Sequence, residues 1–154
     1  MLDFIAKFTD QEVKFIKIGK KYFLENKELE KHRLDAKEKY FGLFLGEDVE
    51  GKFKPSLALL EYLAKISKEK IFVKDIGEMD FLYGKNLRQR HVLRVEGETK
   101  IGFLKLVQNE YDENLGYGKY IAEEGKIQVL KQRMDRGLFL KREKKIEKLS
   151  EKKA

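Results

Sequence analysis

The chain has 154 residues, with 34 Lys and Arg against 27 Asp and Glu, a formal net charge of +7 and 40% charged residues. That length suits one ordinary domain or two small ones, and the absence of cysteine excludes disulfides, thiolate metal sites and cysteine nucleophiles. The basic excess favours polyanionic partners and says little about fold; the competing reading is a lysine-rich surface kept for solubility. No apolar run approaches the length of a membrane span. Met1 to Ala6 lacks the basic-then-apolar pattern of a secretory signal, so the expected compartment is the cytoplasm.

Thr9-Asp10-Gln11-Glu12 has the spacing of a capping box, and the apolar residues after it, Val13 to Phe23, have mostly helical spacing. This predicts a helix over Asp10 to Leu24. Residues Glu25 to Lys39 are dominated by charge and read as a solvated helix or a connector, with the helix preferred. Tyr40 to Gly46 is a short apolar run bracketed by glycines, as in a buried strand. Lys54-Pro55-Ser56 is a helix start, followed by Leu57, Leu60, Leu63 and Ala64 at helical spacing. Ile71-Phe72-Val73 reads as a strand, and Gly77 to Tyr83 as a short helix stopped by Gly84 in the left-handed conformation.

Beyond Gly84 the pattern changes to strands: Val92 to Val95, Ile101 to Val107, Gly116 to Ile121, and Ile127 to Leu130. Several short strands at close intervals predict a compact barrel or meander. Met134-Asp135-Arg136-Gly137 then leads into a final helix that continues into the charged tail.

A search for catalytic chemistry finds no phosphate-binding loop, dinucleotide fingerprint, zinc-protease motif or serine elbow. His32 and His91 each lack a ligand partner at helical spacing. Glu110, Asp112 and Glu113 cluster in a loop, where a solvated turn explains them better than a metal. No enzyme activity, cofactor or metal is therefore expected. The basic residues say more. Arg88, Arg90 and Arg94 gather where the barrel begins; Lys126, Lys131, Arg133, Arg136, Lys141 and Arg142 gather around its last strand and helix. Guanidinium groups bind phosphate in a forked geometry, and several on one face can follow a nucleic-acid backbone. Tyr117, Tyr120 and Phe139 could stack on bases, with barrel core as their alternative role.

From Gly51 onward the chain resembles the Nip-seven family of large-subunit ribosome biogenesis factors. The residues that carry the resemblance are Gly51-Lys52-Phe53, Ala58 to Ala64, Phe81-Leu82-Tyr83-Gly84-Lys85-Asn86, Leu115 to Gly118 and Asp135 to Arg142. The resemblance implies an α+β chain: an α/β domain of the type that precedes PUA domains (1–75), a PUA-type RNA-binding β-barrel (76–142), and a basic C-terminal helix and charged tail (143–154). It further implies a non-catalytic assembly factor that binds ribosomal RNA, with Lys131 the leading contact and Arg133, Arg136 and Arg142 its neighbours. The N-terminal half departs from the family by being short, with Glu25 to Lys39 in place of regular elements. A protein partner for that half is a further expectation. Related domain pairs accompany RNA methyltransferases, so an accessory recognition module for a separately encoded RNA-modifying enzyme is the alternative.

Overall fold

A computed structural model of the chain describes residues 1–25 and 42–121, and the backbone alone of 128–135. It divides into two compact units, Met1–Ser67 and Lys68–Ala154.

The first unit begins with a short helix, α1 (Leu2–Ala6), and a four-stranded antiparallel sheet in the order β1-β2-β3-β4. Its strands are β1 (Phe15–Ile18), β2 (Lys21–Leu24), β3 (Phe44–Val49) and β4 (Lys52–Pro55). The helix expected over Asp10 to Leu24 is thus a β-hairpin. Ile18 pairs with Lys21, which leaves a two-residue turn opening on Gly19 at φ +61°. A glycine leading such a turn matches the right-handed twist of the flanking strands, and the Phe, Tyr and Ile around it favour a half-buried pleated surface. The hydroxyl of Thr9 accepts from the Gln11 amide at 3.1 Å, so it closes a turn after α1 and caps no helix.

One face of this sheet carries aromatic side chains, with the Tyr22 and Phe53 ring centroids 5.6 Å apart, and Phe4 of α1 packs on Phe53 at 5.5 Å. The helix α2 (Leu57–Ile66) forms where the leucine spacing predicts it and buries Leu59, Leu60, Leu63 and Ala64. Ser56 caps it: its Oγ accepts from the Leu59 amide at 3.0 Å and donates to the Phe44 carbonyl at 2.7 Å. Pro55 stands just outside the helix as the last residue of β4, an edge strand, where a missing N–H costs no ladder bond. The strand expected at Tyr40 to Gly46 is found as β3, beginning at Phe44. Tyr40, Phe41 and the segment 26–39 lie outside the described residues.

The second unit contains β5 (Lys70–Val73), α3 (Asp75–Leu82), β6 (Leu87–Arg88), a 3-10 turn (Gln89–His91), β7 (Val92–Val95), β8 (Leu104–Gln108), β9 (Asn114–Tyr120) and β10 (Gln128–Asp135). The six strands form one sheet in the order β6-β10-β9-β8-β5-β7. Among the described residues, β5 and β8 form the only parallel pair. The two edges, β6 and β7, are consecutive in the chain. Laid flat, six strands would hold those edges about 24 Å apart, whereas the chain from Arg88 to Val92 reaches at most about 14 Å. The sheet must therefore curl until its edges meet at the 3-10 turn. No hydrogen-bonded ladder joins β6 to β7, so the expected barrel is an open one with its seam at that turn. Ile71, Val73, Phe81, Leu87, Val107, Leu115 and Tyr120 fill its core.

The helix α3 ends as expected, with Gly84 at φ +84° and its amide donating to the Phe81 carbonyl at 2.9 Å. Met134 and Asp135 belong to β10, pairing with Tyr117 and Gly116 of β9. The C-terminal helix and tail, 136–154, lie outside the described residues. The α+β class expected from the sequence is the one observed.

Candidate nucleic-acid interface

Two basic clusters far apart in sequence come together because β10 pairs with β6. Gln128 stands opposite Arg88, and Leu130 opposite Leu87. On its other side β10 pairs with β9, where Lys131 stands opposite Lys119, and Arg133 occupies the bulge between Gln132 and Met134. Arg88, Lys131 and Arg133 are thus on adjacent strands. Arg90 follows in the 3-10 turn and Arg94 on β7, beyond the seam. Lys126, Arg136, Lys141, Arg142 and Phe139 lie outside the described residues.

The described arginines differ in how free they are. Arg94 is already engaged: its guanidinium carbon lies 3.7 Å from the centroid of the Phe72 ring, and its Nε is 3.2 Å from Glu96 Oε1. Stacking and pairing of this kind fix a planar cation in place. Arg90 approaches Asp80 at 4.0 Å while its side chain stays 63% exposed. Arg88 is exposed and has no carboxylate within ion-pair distance among the described residues. Of the aromatic candidates, Tyr120 is a core residue and is not available for stacking on a base, and Tyr117 is partly buried in β9.

The corner that carries these arginines is held by a pair that sequence patterns do not show. His91 is 1% exposed. Its Nδ1 accepts from the Arg88 amide at 3.0 Å, so the neutral ring carries its proton on Nε2. That atom lies 3.0 Å from Asp80 Oδ2, but off the line of a hydrogen bond, so the contact is chiefly electrostatic. Burial pushes the His91 pKa below the usual imidazole value; Asp80 opposes this, and Arg90 and Arg88 add to it. The Asp80 carboxylate also approaches Lys85 at 3.6 Å. One carboxylate therefore ties helix α3 to the turn bearing Arg90 and partly neutralises Arg90 and Lys85. Gly77 permits the approach, since a Cβ there would stand 2.8 Å from His91 Cβ and 3.0 Å from its carbonyl oxygen.

Two further polar contacts brace the sheet. Lys105, on β8, is 0% exposed, with its Nζ 2.6 Å from Glu69 Oε2 and donating to the Glu96 carbonyl at 2.6 Å. Glu69 in turn accepts from the Glu98 amide at 3.1 Å. The pair clamps the turn that follows β7. Across the sheet, the acidic turn between β8 and β9 is organised by Asn109, whose Oδ1 accepts from the Tyr111 and Glu113 amides at 3.0 Å. Lys70 pairs with Asp112 at 3.2 Å. The cation beside this cluster is thus a lysine, and among the described residues no group of three His, Cys, Asp or Glu could hold a metal.

An α+β unit with this curled sheet, a helix after its first strand and a basic seam defines a PUA-type domain. Residues 69–144, about half of the chain, match the family model described as the UPF0113 PUA domain. The second unit is thus a PUA domain of the UPF0113 family. Among curated proteins the chain is 36% identical over 67 residues to the 60S ribosome subunit biogenesis protein nip7 of Schizosaccharomyces pombe, covering 44% of this chain and 37% of that protein. It is 36% identical over 80 residues to the protein of the same description, NIP7, from Saccharomyces cerevisiae, covering 50% of this chain and 43% of that one. The chain thus spans less than half the length of these relatives. Among solved structures, a conserved PUA domain protein from Thermoplasma acidophilum superposes with a TM-score of 0.52 at 13% identity, over 84% of this chain and 83% of that one. That likeness is one of fold.

Proposed function

We propose that this protein is a non-catalytic RNA-binding factor that holds ribosomal RNA on the basic seam of its PUA domain during large-subunit assembly. The observation that supports the reading is the pairing of β6 with β10, which brings the backbone positions of Arg88, Lys131 and Arg133 from two separate sequence clusters onto adjacent strands. A strip of cations along adjacent strands suits a phosphate backbone, because each neutralised phosphate releases condensed counterions. The ribosomal role is taken from the biogenesis proteins that the chain resembles. Arg136 and Arg142, which lie outside the described residues, are proposed as further contacts on the basis of sequence alone. Arg94, stacked on Phe72, contributes charge more than a direct contact. The chain has no cysteine, which fits work in the reducing cytoplasm.

The test is fluorescence anisotropy of a labelled single-stranded ribosomal RNA fragment across a salt series. Reversing Lys131, Arg133 and Arg136 to Glu abolishes most of the affinity. It also flattens the dependence of log K on log salt by about 2, since each lost single-strand phosphate contact removes about 0.7. Unchanged affinity and slope in a folded triple variant refute the assignment.

A further inference from the structure

The outer face of α3 is unlike the rest of this basic protein. The helix sequence DIGEMDFL holds three carboxylates and no Lys or Arg. Its inner face is ordinary, since Gly77 and Phe81 are buried. Its outer face exposes three large apolar side chains, Ile76 at 50%, Met79 at 62% and Tyr83 at 62%. Single exposed apolar residues need no explanation. These three, however, recur at i, i+3 and i+7, the spacing of anchors along one side of a helix. With each residue advancing the helix by about 100°, the order around the outer face is Asp75, Met79, Tyr83, Ile76, Asp80. The apolar stripe is bordered on one side by the exposed Asp75 carboxylate; on the other, Asp80 is already engaged by His91, Lys85 and Arg90. On the Asp75 side the acidic surface continues to Glu78, which Asn109 Nδ2 joins to Glu113 with contacts of 3.4 Å and 3.1 Å.

We propose that this face docks a basic amphipathic segment of a protein partner. The Asp75, Glu78 and Glu113 carboxylates along one border repel phosphate, which makes RNA a poor occupant of that side. A second copy of the same face would oppose acid to acid. A helix presenting aliphatic side chains with Lys or Arg along one side complements both the stripe and its acidic border at Asp75, Glu78 and Glu113. Apolar contact supplies the affinity and charge sets the orientation. The inference is independent of the RNA-binding strip, because Ile76 and Met79 take no part in that strip.

The experiment uses the full chain, isotopically labelled, and two synthetic helical peptides of equal length. Both carry leucines at i, i+3, i+4 and i+7; one flanks them with lysine and the other with glutamate. The lysine peptide is expected to shift the amide signals of Ile76, Met79 and Tyr83 and the methyl signals of Ile76 and Met79. Its affinity falls at least tenfold in Ile76→Ser/Met79→Ser, while the glutamate peptide does not bind. Thermal unfolding checks that the double variant folds, and its RNA affinity stays at the parent value. Equal binding of both peptides, shifts that fall elsewhere, or undiminished binding to the double variant overturns the proposal. Shifts of the same signals by single-stranded RNA reassign the face to nucleic acid. A concentration-dependent dimer that the double variant abolishes reassigns it to a second copy. Loss of RNA binding in Lys131→Glu/Arg133→Glu/Arg136→Glu leaves this inference untouched, so the two readings fail separately.

Discussion

Replacing Lys105 by Met tests whether the buried ion pair braces the PUA sheet. Methionine keeps the aliphatic stem, so the change removes little apolar packing and isolates the charge. Lys105 Nζ makes two contacts of 2.6 Å, to Glu69 Oε2 and to the Glu96 carbonyl. Removing one partner of a buried pair costs about 3–5 kcal/mol, because the other charge is left uncompensated. Two features pull the cost toward the lower end. The Glu69 side chain is 19% exposed, and it keeps the Glu98 amide as a donor at 3.1 Å. One feature pulls upward: the Glu96 carbonyl loses its charged donor, worth about 1.5–3 kcal/mol. A net loss of about 3–4 kcal/mol is expected, a large share of the 5–15 kcal/mol that holds a typical domain together. Urea unfolding of Lys105→Met, followed by far-ultraviolet circular dichroism, reads it directly. The double variant Lys105→Met/Glu69→Met, which leaves no stranded charge, recovers part of the loss. A loss below about 1 kcal/mol in the single variant, or no recovery in the double, refutes the view that the pair is coupled and buried.

Gly77→Ala sets two opposing effects against each other. Alanine favours the helix by about 1 kcal/mol, but its Cβ would meet His91 Cβ at 2.8 Å and Val73 Cβ at 3.1 Å. Neither neighbour is a flexible side-chain end, and overpacking of this kind costs about 1–3 kcal/mol. A net destabilisation is expected by thermal unfolding, and a raised Tm would show that α3 and the turn do not meet so closely. His91 supplies a pH prediction. Its pKa in the folded protein lies below the unfolded value because of burial, so at falling pH the unfolded chain takes up the proton first. The stability associated with a neutral His91 is thus complete above about pH 6.5 and declines as pH falls from there through the folded-state pKa. An NMR titration of the imidazole checks the direction, and His91→Gln flattens the fall in Tm between pH 7 and pH 5. A His91 resonance titrating above the ordinary imidazole range contradicts the buried neutral assignment.

The elements legible in the sequence were those whose cues are local. The α2 leucines, the β5 triplet and the Gly84 stop each fall within a few residues of the signal that predicts them. The first hairpin was not legible in the same way. Val13, Phe15, Ile16 and Ile18 satisfy helical spacing nearly as well as strand spacing, so periodicity alone cannot choose between them. The deciding residue is Gly19, which a helix tolerates at some cost but a two-residue turn requires. Thr9 misled for a related reason: a threonine hydroxyl that can cap a helix can equally close a turn two residues on.

The candidate site divides along the same line. Arg88 and Lys131 are each visible as members of basic clusters, yet nothing in either stretch says that β10 will lie against β6; that adjacency is a long-range pairing. Asp80 and His91 belong to a helix and to a turn and share no periodicity, so their contact exists only once Gly77 lets the two elements meet. Lys105 is a sharper case. By alternation it would be placed in solvent, and it is buried only because Glu69, thirty-six positions away in the sequence, stands ready to pair with it. The net charge of +7 hides a similar division. It is a sum, unevenly distributed in the second unit: Arg88 and Arg90 stand exposed on β6 and in the turn after it, while α3 carries three carboxylates. A total can make RNA a reasonable partner, but only the placement of each charge separates a surface that attracts phosphate from one that repels it.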